Sequence, residues 1–186
     1  MEDQEIIKLY WDRSEQAIAE SDRKYGRFLG KIAWNILFSR EDTEECINDT
    51  WMHAWNAMPP HRPSPLRSFL GKITRNLALN LYERNHAEKR GGGETALVLD
   101  ELAECVAGRD AVSGTAERLV LAKTLEIFLA GLKPEQRRVF VRRYWYMSPV
   151  KEIASDFGMS ESNVKMTLLR ARKALREMLE KEGISV

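Results

Sequence analysis

The sequence predicts an all-α protein of two small helical domains joined by a flexible linker, with a helix-turn-helix in the C-terminal domain. Apolar residues recur at helical spacing along almost the whole 186-residue chain, and no alternating run with a hairpin signal interrupts them. A glycine triplet, Gly91 to Gly93, opens an acidic stretch between two helical halves. Near the C-terminus, Gly158 separates a short amphipathic pattern from a longer one.

The helical pattern is broken where the chemistry of the backbone requires it. Four prolines between residues 59 and 65 remove amide donors and fix φ, so a helix must end there. Residues 91–115 contain Gly, Asp, Glu and Ser, and we expect a linker with one or two helical turns. We therefore predict domains at 1–90 and 116–186. The predicted helices cover about 3–21, 24–39, 41–58, 66–88, 116–131, 134–145, 149–157 and 161–181.

The charge of the chain is distributed in blocks, although its formal net value is only +1. Residues 66–90 carry six basic and two acidic side chains, and residues 116–186 carry fourteen basic and nine acidic ones. The intervening residues 91–115 carry one basic and five acidic side chains. Two basic blocks separated by an acidic one are typical of a chain with two polyanion-binding surfaces.

Features of secreted and membrane proteins are absent from the sequence. The two cysteines, Cys46 and Cys105, are too few for a disulfide scaffold. The acidic segment that begins at Met1 lacks the apolar core of a signal peptide. No apolar run approaches the roughly 18 residues that are needed to cross a bilayer. We therefore expect a cytoplasmic protein that does not contact membranes.

The residues that most enzymes need are also missing from any recognisable arrangement. Cys46, His53 and His61 do not supply four closely spaced zinc ligands. The glycine triplet lacks the Lys-Ser/Thr pair and the strand–helix context of a phosphate-binding loop. We expect no metal, no cofactor, no small-molecule substrate and no enzymatic activity.

The strongest local pattern lies between residues 149 and 176. Ile153, Ala154 and Phe157 form one apolar face of a short helix, which Gly158 can end by adopting the left-handed conformation. Ser160 is placed to cap the next helix. A short helix, a glycine turn and a capped longer helix together form a helix-turn-helix.

The longer helix of this pattern has two distinct faces. Val164, Leu168, Ala171 and Leu175 fall together and are expected to be buried. The opposite face is basic and suits phosphates and base edges in a major groove. The alternative is a helical hairpin whose cations only face solvent, but the coincidence of turn, cap, apolar stripe and basic face favours DNA binding. The predicted DNA-contacting residues are Ser160, Ser162, Asn163, Lys165, Met166, Leu169, Arg170, Lys173 and Arg176.

Four runs in the C-terminal half follow one another in a fixed order. They are LKPEQRRVFVRRY at 132–144, KEIA at 151–154, SESNVK at 160–165 and RARKALR at 170–176. Together they resemble the promoter-recognition domain of the extracytoplasmic-function (ECF) group of bacterial sigma factors. The resemblance implies that the helix from residue 161 to residue 176 reads the upstream promoter element.

Two further runs lie in the first half, DTEECINDTWMHAW at 42–55 and FLGKITRN at 69–76. They resemble the other conserved domain of the same family, and they stand in the expected order. The first run looks like the helix that grips the polymerase clamp, and the second like the start of the helix that melts the promoter. Phe69 stands where the family usually has Trp. The resemblance covers roughly residues 20–90 and 116–181.

The third predicted helix supports this resemblance through its own residues. Ile47, Trp51, Ala54, Trp55 and Met58 share one face and should pack inside. The opposite face is an acidic stripe, which DNA repels but which suits a basic protein groove. A merely solvated helix face is the alternative that the sequence leaves open. The predicted polymerase-binding residues are Glu45, Asn48, Asp49, Met52 and Asn56.

The fourth predicted helix mixes cations and amides with aromatic residues. Cations can follow a single DNA strand while aromatic and amide groups stack on and bond to unpaired bases. Alternatively, Phe69 and Tyr82 belong to the core, and this holds for Phe69 in particular. The residues predicted to contact the downstream element and to assist melting are Lys72, Arg75, Asn76, Asn80, Arg84 and Asn85.

The resemblance implies an RNA polymerase sigma factor, which binds core polymerase and directs promoter-specific initiation of transcription. Its implied partners are core RNA polymerase and promoter DNA, with an anti-sigma factor as a further candidate. From the residues alone two alternatives remain. One is a free-standing helix-turn-helix regulator that binds duplex DNA without polymerase, and the other is a helical adaptor that binds only protein.

Overall fold

The protein is described by a computed structural model, which covers residues 1–86, 94–103 and 115–182. The chain divides into two compact units, Met1–Gly91 (unit 1) and Gly92–Val186 (unit 2). Within the described ranges both units are helical and contain no strand, as the sequence predicts. The helices are α1 (Asp3–Trp11), α2 (Gln16–Leu37), α3 (Arg40–Ala57), α4 (Leu66–His86), α5 (Glu94–Ala103), α6 (Thr115–Gly131), α7 (Pro134–Tyr144), α8 (Val150–Phe157) and α9 (Glu161–Lys181).

The first two helices of unit 1 differ from the predicted ones. The predicted break near residues 22–23 is wrong, because α1 ends at Trp11 and α2 begins at Gln16. The chain turns instead at Arg13, whose φ is 53°. The helix α2 continues through Ser21, because the buried face that holds Ser21 runs unbroken along it. The Tyr10 hydroxyl and the Ser21 hydroxyl lie 3.0 Å apart and fasten α1 to α2.

The segment between α3 and α4 carries the four prolines and is held by α1. Trp11 Nε1 donates to the carbonyl oxygen of His61 at 3.2 Å. The guanidinium of Arg62 lies 3.9 Å from the centre of the Trp11 ring. The turn that the prolines impose is thus anchored to the first helix.

The seam between α3 and α4 is built from small polar side chains. The hydroxyl oxygens of Thr50 and Thr74 lie 3.1 Å apart. Thr50 also donates to the carbonyl oxygen of Cys46 at 2.8 Å, and Thr74 to that of Leu70 at 3.0 Å. Burial, together with the smaller effect of the nearby Asp49 and Glu45 carboxylates, raises the pKa of the Cys46 thiol to about 12. Cys46 therefore stays a neutral thiol in this seam.

Unit 2 begins with a helix that is longer than the sequence suggested. Where one or two helical turns were expected, α5 extends over ten residues, and its Val98 is fully buried. Residues 91–93 and 104–114 of the predicted linker lie outside the described residues. Farther along, Phe128 of α6 packs edge-on against Phe140 of α7, with 5.3 Å between the two ring centres. The ring centres of Phe140 and Tyr144 lie 4.5 Å apart. These rings form the apolar centre of unit 2.

No helix in the described part of the chain is both long enough and apolar enough to span a bilayer.

Candidate nucleic-acid and protein-binding surfaces

The helix-turn-helix of unit 2 has the local geometry that its sequence predicts. Gly158 adopts φ 62° at the end of α8, and the Met159 amide donates to the carbonyl oxygen of Ala154 at 2.9 Å. The Ser160 hydroxyl accepts from the backbone amide of Asn163 at 3.2 Å and caps α9. The turn and the cap together fix where α9 begins.

The helix α9 presents two faces. The predicted stripe of Val164, Leu168, Ala171 and Leu175 is buried, which confirms that part of the interpretation. Opposite it lies an exposed surface with four cations and two large apolar side chains. Every residue predicted to contact upstream DNA is exposed: Ser160, Ser162, Asn163, Lys165, Met166, Leu169, Arg170, Lys173 and Arg176.

Charged residues of α7 position the short helix α8. The guanidinium of Arg142 donates to the carboxylate of Glu152 at 2.6 Å and also to that of Asp156. The guanidinium of Arg138 lies 5.3 Å from the centre of the Phe157 ring. The basic residues of α7 thus orient the helix-turn-helix from within.

One carboxylate of α5 gathers three residues of α7 and α9. Glu101 accepts two hydrogen bonds from Arg143, at 2.7 and 3.1 Å, and one from the Tyr144 hydroxyl at 3.0 Å. Arg172 of α9 reaches the same carboxylate at 3.4 Å and the Tyr144 hydroxyl at 2.8 Å. Arg143 is only 2% exposed, so its charge depends on this pairing.

The protonation of Glu101 reflects a competition between burial and its partners. Burial alone acts to raise the pKa of Glu101. The hydrogen bonds and positive charge of Arg143, with help from Tyr144 and Arg172, outweigh it and hold the pKa below its usual value. Burial likewise raises the pKa of Tyr144 far above that of an exposed tyrosine. The network is therefore ionised at Glu101 and neutral at Tyr144 at physiological pH.

The four network residues are absent from the predicted site. In the sequence, Arg143 and Arg172 cannot be distinguished from the other cations of a basic domain. In the structure, both guanidinium groups point inward, toward Glu101. The signal that could have indicated this is Glu101 itself, an acid spaced three residues after the apolar Val98 on a short amphipathic helix. The same helix lies beside α9, since Leu97 and Glu101 line a groove with Lys165 and Leu169.

The helix α3 of unit 1 carries the predicted protein-binding face. Met52 is 60% exposed, although it is a large apolar side chain. The predicted inner face is confirmed for Trp51, Ala54 and Met58, which are buried. The predicted polymerase-binding residues are all exposed: Glu45, Asn48, Asp49, Met52 and Asn56.

A groove of about 810 Å³ runs between α2 and α3 beside this face. Its apolar lining includes Ile47 and Trp55, which the sequence placed inside the core but which the structure leaves half-buried. Met52 lies at its rim, and two carboxylates that sequence reasoning missed are added by Asp22 of α2 and by Glu15, the residue before α2. An apolar groove edged by carboxylates is complementary to a basic, amphipathic protein segment.

The predicted melting residues of α4 do not all lie together. Lys72, Asn76 and Asn80 are exposed and one turn apart, so they form a single stripe. Arg75 is half-buried, and burial lowers its pKa. Tyr82 is buried and belongs to the core, whereas Phe69 is only half-buried.

The last two melting residues turn toward α3 instead. Arg84 Nη2 lies 3.9 Å from Glu45 Oε1. The Asn85 amide donates to the carboxylate of Asp42 at 3.2 Å. The structure thus brings the end of the predicted DNA surface into contact with the start of the predicted protein surface.

Comparisons with known proteins agree with this arrangement. Sigma-70 region 2 matches residues 22–88, and Sigma-70 region 4 matches residues 125–175. The two regions together cover more than half of the chain. The chain belongs to the sigma-70 family of RNA polymerase sigma factors, in its ECF group. This assignment decides against the free-standing regulator and the protein-only adaptor.

Relatives of this sigma factor share its length as well as its regions. The ECF RNA polymerase sigma factor SigL of Mycobacterium tuberculosis is 26% identical over 167 residues, which are 87% of this chain and 88% of SigL. The RNA polymerase sigma factor CnrH of Cupriavidus metallidurans is 26% identical over 173 residues, 91% of this chain and 90% of CnrH. The RNA polymerase sigma factor YlaC of Bacillus subtilis is 27% identical over 157 residues, 79% of this chain and 85% of YlaC.

A solved structure described as CnrH in complex with the cytosolic domain of CnrY covers 96% of this chain, at 22% identity and a TM-score of 0.44. As a member of its family, the sigma factor binds core RNA polymerase and promoter DNA and directs the initiation of transcription.

Proposed function

We propose that the two units divide the work of initiation. The acidic face of α3, with the adjoining groove of α2, holds core polymerase, and Glu45, Asp49 and Met52 are its central residues. Carboxylates at the rim steer the encounter with a basic partner, while apolar contact at Met52 and in the groove lengthens the residence time. The proposal is supported by the exposure of Met52 beside an apolar groove that carries only acidic charge.

In unit 2 the exposed face of α9 reads the upstream promoter element. Lys165, Arg170, Lys173 and Arg176 neutralise phosphates, and Ser162 and Asn163 in the first turn reach base edges. Met166 and Leu169 then contact thymine methyl groups. The capped start of α9 supports this role, since the N-terminal residues of a recognition helix enter the groove first.

In unit 1 the stripe of Lys72, Asn76 and Asn80 on α4 contacts the downstream element and the strand that is released on melting. Arg75, Arg84 and Asn85 contribute less directly, because the structure half-buries Arg75 and turns the other two toward α3. We further propose that the sigma factor has no catalytic activity of its own and acts in the cytoplasm, where the polymerase supplies the chemistry.

A pair of double variants separates the two surfaces. Glu45→Lys with Asp49→Lys should abolish retention of the protein on immobilised core polymerase, because it reverses the charges that steer the encounter. Arg170→Ala with Lys173→Ala should leave retention intact. It should weaken binding to promoter DNA, and it should reduce the slope of log K against log salt by about 1 for each lost phosphate contact on duplex DNA.

Run-off transcription over a promoter library, with added core polymerase, measures the combined result. Glu126→Lys with Glu135→Lys, which reverses two exposed carboxylates of unit 2, is the control for net charge. If the α3 double variant and this control are retained on core polymerase as well as the wild type, the acidic face of α3 is not the docking surface.

A further inference from the structure

The helix α5 is docked on the unit that is proposed to read duplex DNA. Its Val98 is fully buried in unit 2. The carboxylate of Glu101 lies 2.7 Å from the guanidinium of Arg143 on α7 and 3.4 Å from that of Arg172 on α9. None of the residues of α5 belongs to the surfaces proposed above. A helix that is held beside α9 without being part of its DNA-reading face can control access to that face.

A groove of about 580 Å³ separates α5 from the two helices of the helix-turn-helix, and we call it the α5 groove. One of its walls is formed by Leu97 and Glu101 of α5. Leu97 is 55% exposed, so the groove is open to solvent rather than filled by packed side chains. The opposite wall is formed by the beginnings of α8 and α9, and it includes Pro149, Val150, Lys151, Glu161 and Lys165.

The α5 groove lies on the path that a DNA backbone takes past a helix-turn-helix. When the second helix of this motif enters the major groove, the first helix crosses the phosphate backbone. That backbone therefore passes the beginnings of α8 and α9, where Lys151 and Lys165 are exposed. The major groove is about 12 Å wide and admits one helix with a diameter of about 10–12 Å. A second helix beside the first turns of α9 thus collides with the phosphate wall of the major groove.

The charge of α5 opposes DNA as its bulk does. Residues 94–103 contain three acidic side chains and no basic one. Asp100 is exposed, and Glu101 lies on the wall of the α5 groove itself. Phosphates that approached Lys151 or Lys165 would come close to these carboxylates, and like charges repel each other more strongly where protein replaces water. A basic helix at this position would have extended the DNA-reading surface, whereas α5 shields it.

We propose that α5 is an autoinhibitory helix, which keeps duplex DNA away from α9 while it is docked on unit 2. The upstream element can then be read only after α5 has left the α5 groove. This inference rests on the proposed function, in which the exposed face of α9 contacts duplex DNA. The docked state is held by the burial of Val98 and by the ion pairs of Glu101. Because the exclusion is reciprocal, DNA that binds to α9 must weaken the docking of α5 by the same factor.

The reciprocal effect is tested by hydrogen exchange, measured by mass spectrometry, in the full-length wild-type protein. The probe is a short duplex that carries the upstream element of a promoter selected by the run-off assay. Exchange in α5 should be slow in the free protein and faster at saturating duplex, while α9 becomes more protected. If α5 is protected as well or better in the presence of the duplex, it stays docked on the DNA-bound unit, and the proposal is overturned.

Val98→Asp should release α5, because it places a carboxylate where the structure buries an apolar side chain completely. Affinity for the same duplex, measured by fluorescence anisotropy, should rise by about tenfold if α5 is undocked in about one wild-type molecule in ten. Leu119→Asp is the matched control, since it adds the same charge at an exposed position of α6, and it should bring no gain. Equal affinities of the two variants, with α7 to α9 still protected from exchange, would contradict the proposal. If Val98→Asp unfolds unit 2, the exchange experiment on the wild type decides.

Substitutions in α9 separate this inference from the proposed function. Arg170→Ala with Lys173→Ala, added to Val98→Asp, should remove the gain in affinity, because the surface that α5 releases is that of α9. If the gain survives, DNA binds elsewhere, and both the proposed role of α9 and the autoinhibition are wrong. If the two alanine substitutions weaken binding in the wild-type background but Val98→Asp brings no gain, the proposed function stands and only the autoinhibition by α5 is wrong.

Discussion

In unit 1 the seam between α3 and α4 buries small uncharged groups, whereas in unit 2 the junction of α5, α7 and α9 buries an ion network. Thr50 and Thr74 each satisfy their hydroxyls within their own helix and meet at 3.1 Å. Arg143 donates locally to the carbonyl oxygen of Ser148 at 3.3 Å, but its buried charge is balanced by Glu101 from another helix. We therefore expect the first seam to tolerate the loss of a polar group and the second not to.

This difference bears on how each unit connects to function. The neutral seam packs α3 against α4 without a buried charge, and the charged contact of Arg84 with Glu45 lies at its exposed edge. The ion network makes the position of α9 depend on α5, a helix of the segment that was expected only to link the domains. The helix proposed to read DNA is thus held through Arg172 by the carboxylate of Glu101.

The largest expected effect comes from removing that carboxylate. Glu101→Ala removes the carboxylate that balances the buried charge of Arg143 and should destabilise unit 2 by about 3 kcal/mol. Hydrogen exchange measured by mass spectrometry should show faster exchange in α7 and α9 and unchanged exchange in α2. Asp100→Ala, at an exposed neighbouring position on the same helix, should change stability by less than about 0.5 kcal/mol. If Glu101→Ala and Asp100→Ala changed stability and hydrogen exchange to the same extent, α5 would not be held by this network.

A smaller effect should follow from acid. The folded-state pKa of Glu101 lies below that of the unfolded chain, because the hydrogen bonds from Arg143 outweigh the opposing effect of burial. The unfolded state therefore binds more protons, and the stabilisation is complete above the unfolded pKa and is lost as the pH falls through the folded one. Urea midpoints compared between neutral pH and a pH below about 4, which is under the unfolded pKa of a glutamate, should fall more for unit 2 than for unit 1. In the Glu101→Gln variant, unit 2 should lose less stability between these two pH values than in the wild type. If it loses as much, other groups cause the acid sensitivity.

The sequence predicted the elements that depend on local pattern. The apolar stripe from Val164 to Leu175, the Ser160 cap and the Gly158 turn all follow from spacing and from single-residue conformational preferences, and the structure contains each of them. The predicted break between the first two helices, near residues 22–23, is wrong, and Ser21 lies buried within α2 against Tyr10. A polar residue within an apolar face can be interpreted correctly only when its partner is known.

The candidate surfaces were predicted unevenly for a similar reason. Exposure of the outer faces of α3 and α9 follows from helical periodicity alone. The inward turn of Arg143 and Arg172 does not, because it depends on an acid that lies 42 residues before Arg143 in the sequence. The half-buried position of Arg75 and the contacts of Arg84 and Asn85 with α3 likewise depend on tertiary packing.

The smallest expected effect concerns the neutral seam of unit 1. Thr50→Val and Thr74→Val preserve the shape of each side chain and remove only its hydroxyl. Each remaining hydroxyl still donates to a carbonyl of its own helix, so neither single variant leaves a buried polar group unsatisfied. Each should change the free energy of unfolding of unit 1 by at most about 1 kcal/mol, and the double variant should be close to additive or better, because both partners of the 3.1 Å contact are then apolar.

Urea denaturation of the single and double variants, followed by circular dichroism and by hydrogen exchange in α3 and α4, completes this double-mutant cycle. A coupling energy well above 1 kcal/mol would mean that the two hydroxyls act as a specific lock, and the contrast with unit 2 would disappear. If the coupling energy is near zero and Glu101→Ala strongly destabilises unit 2, then only the stability of unit 2, which is proposed to read upstream DNA, depends on buried polar contacts of this kind. In that unit, α5 and α9 would then share one ion network whose loss displaces both.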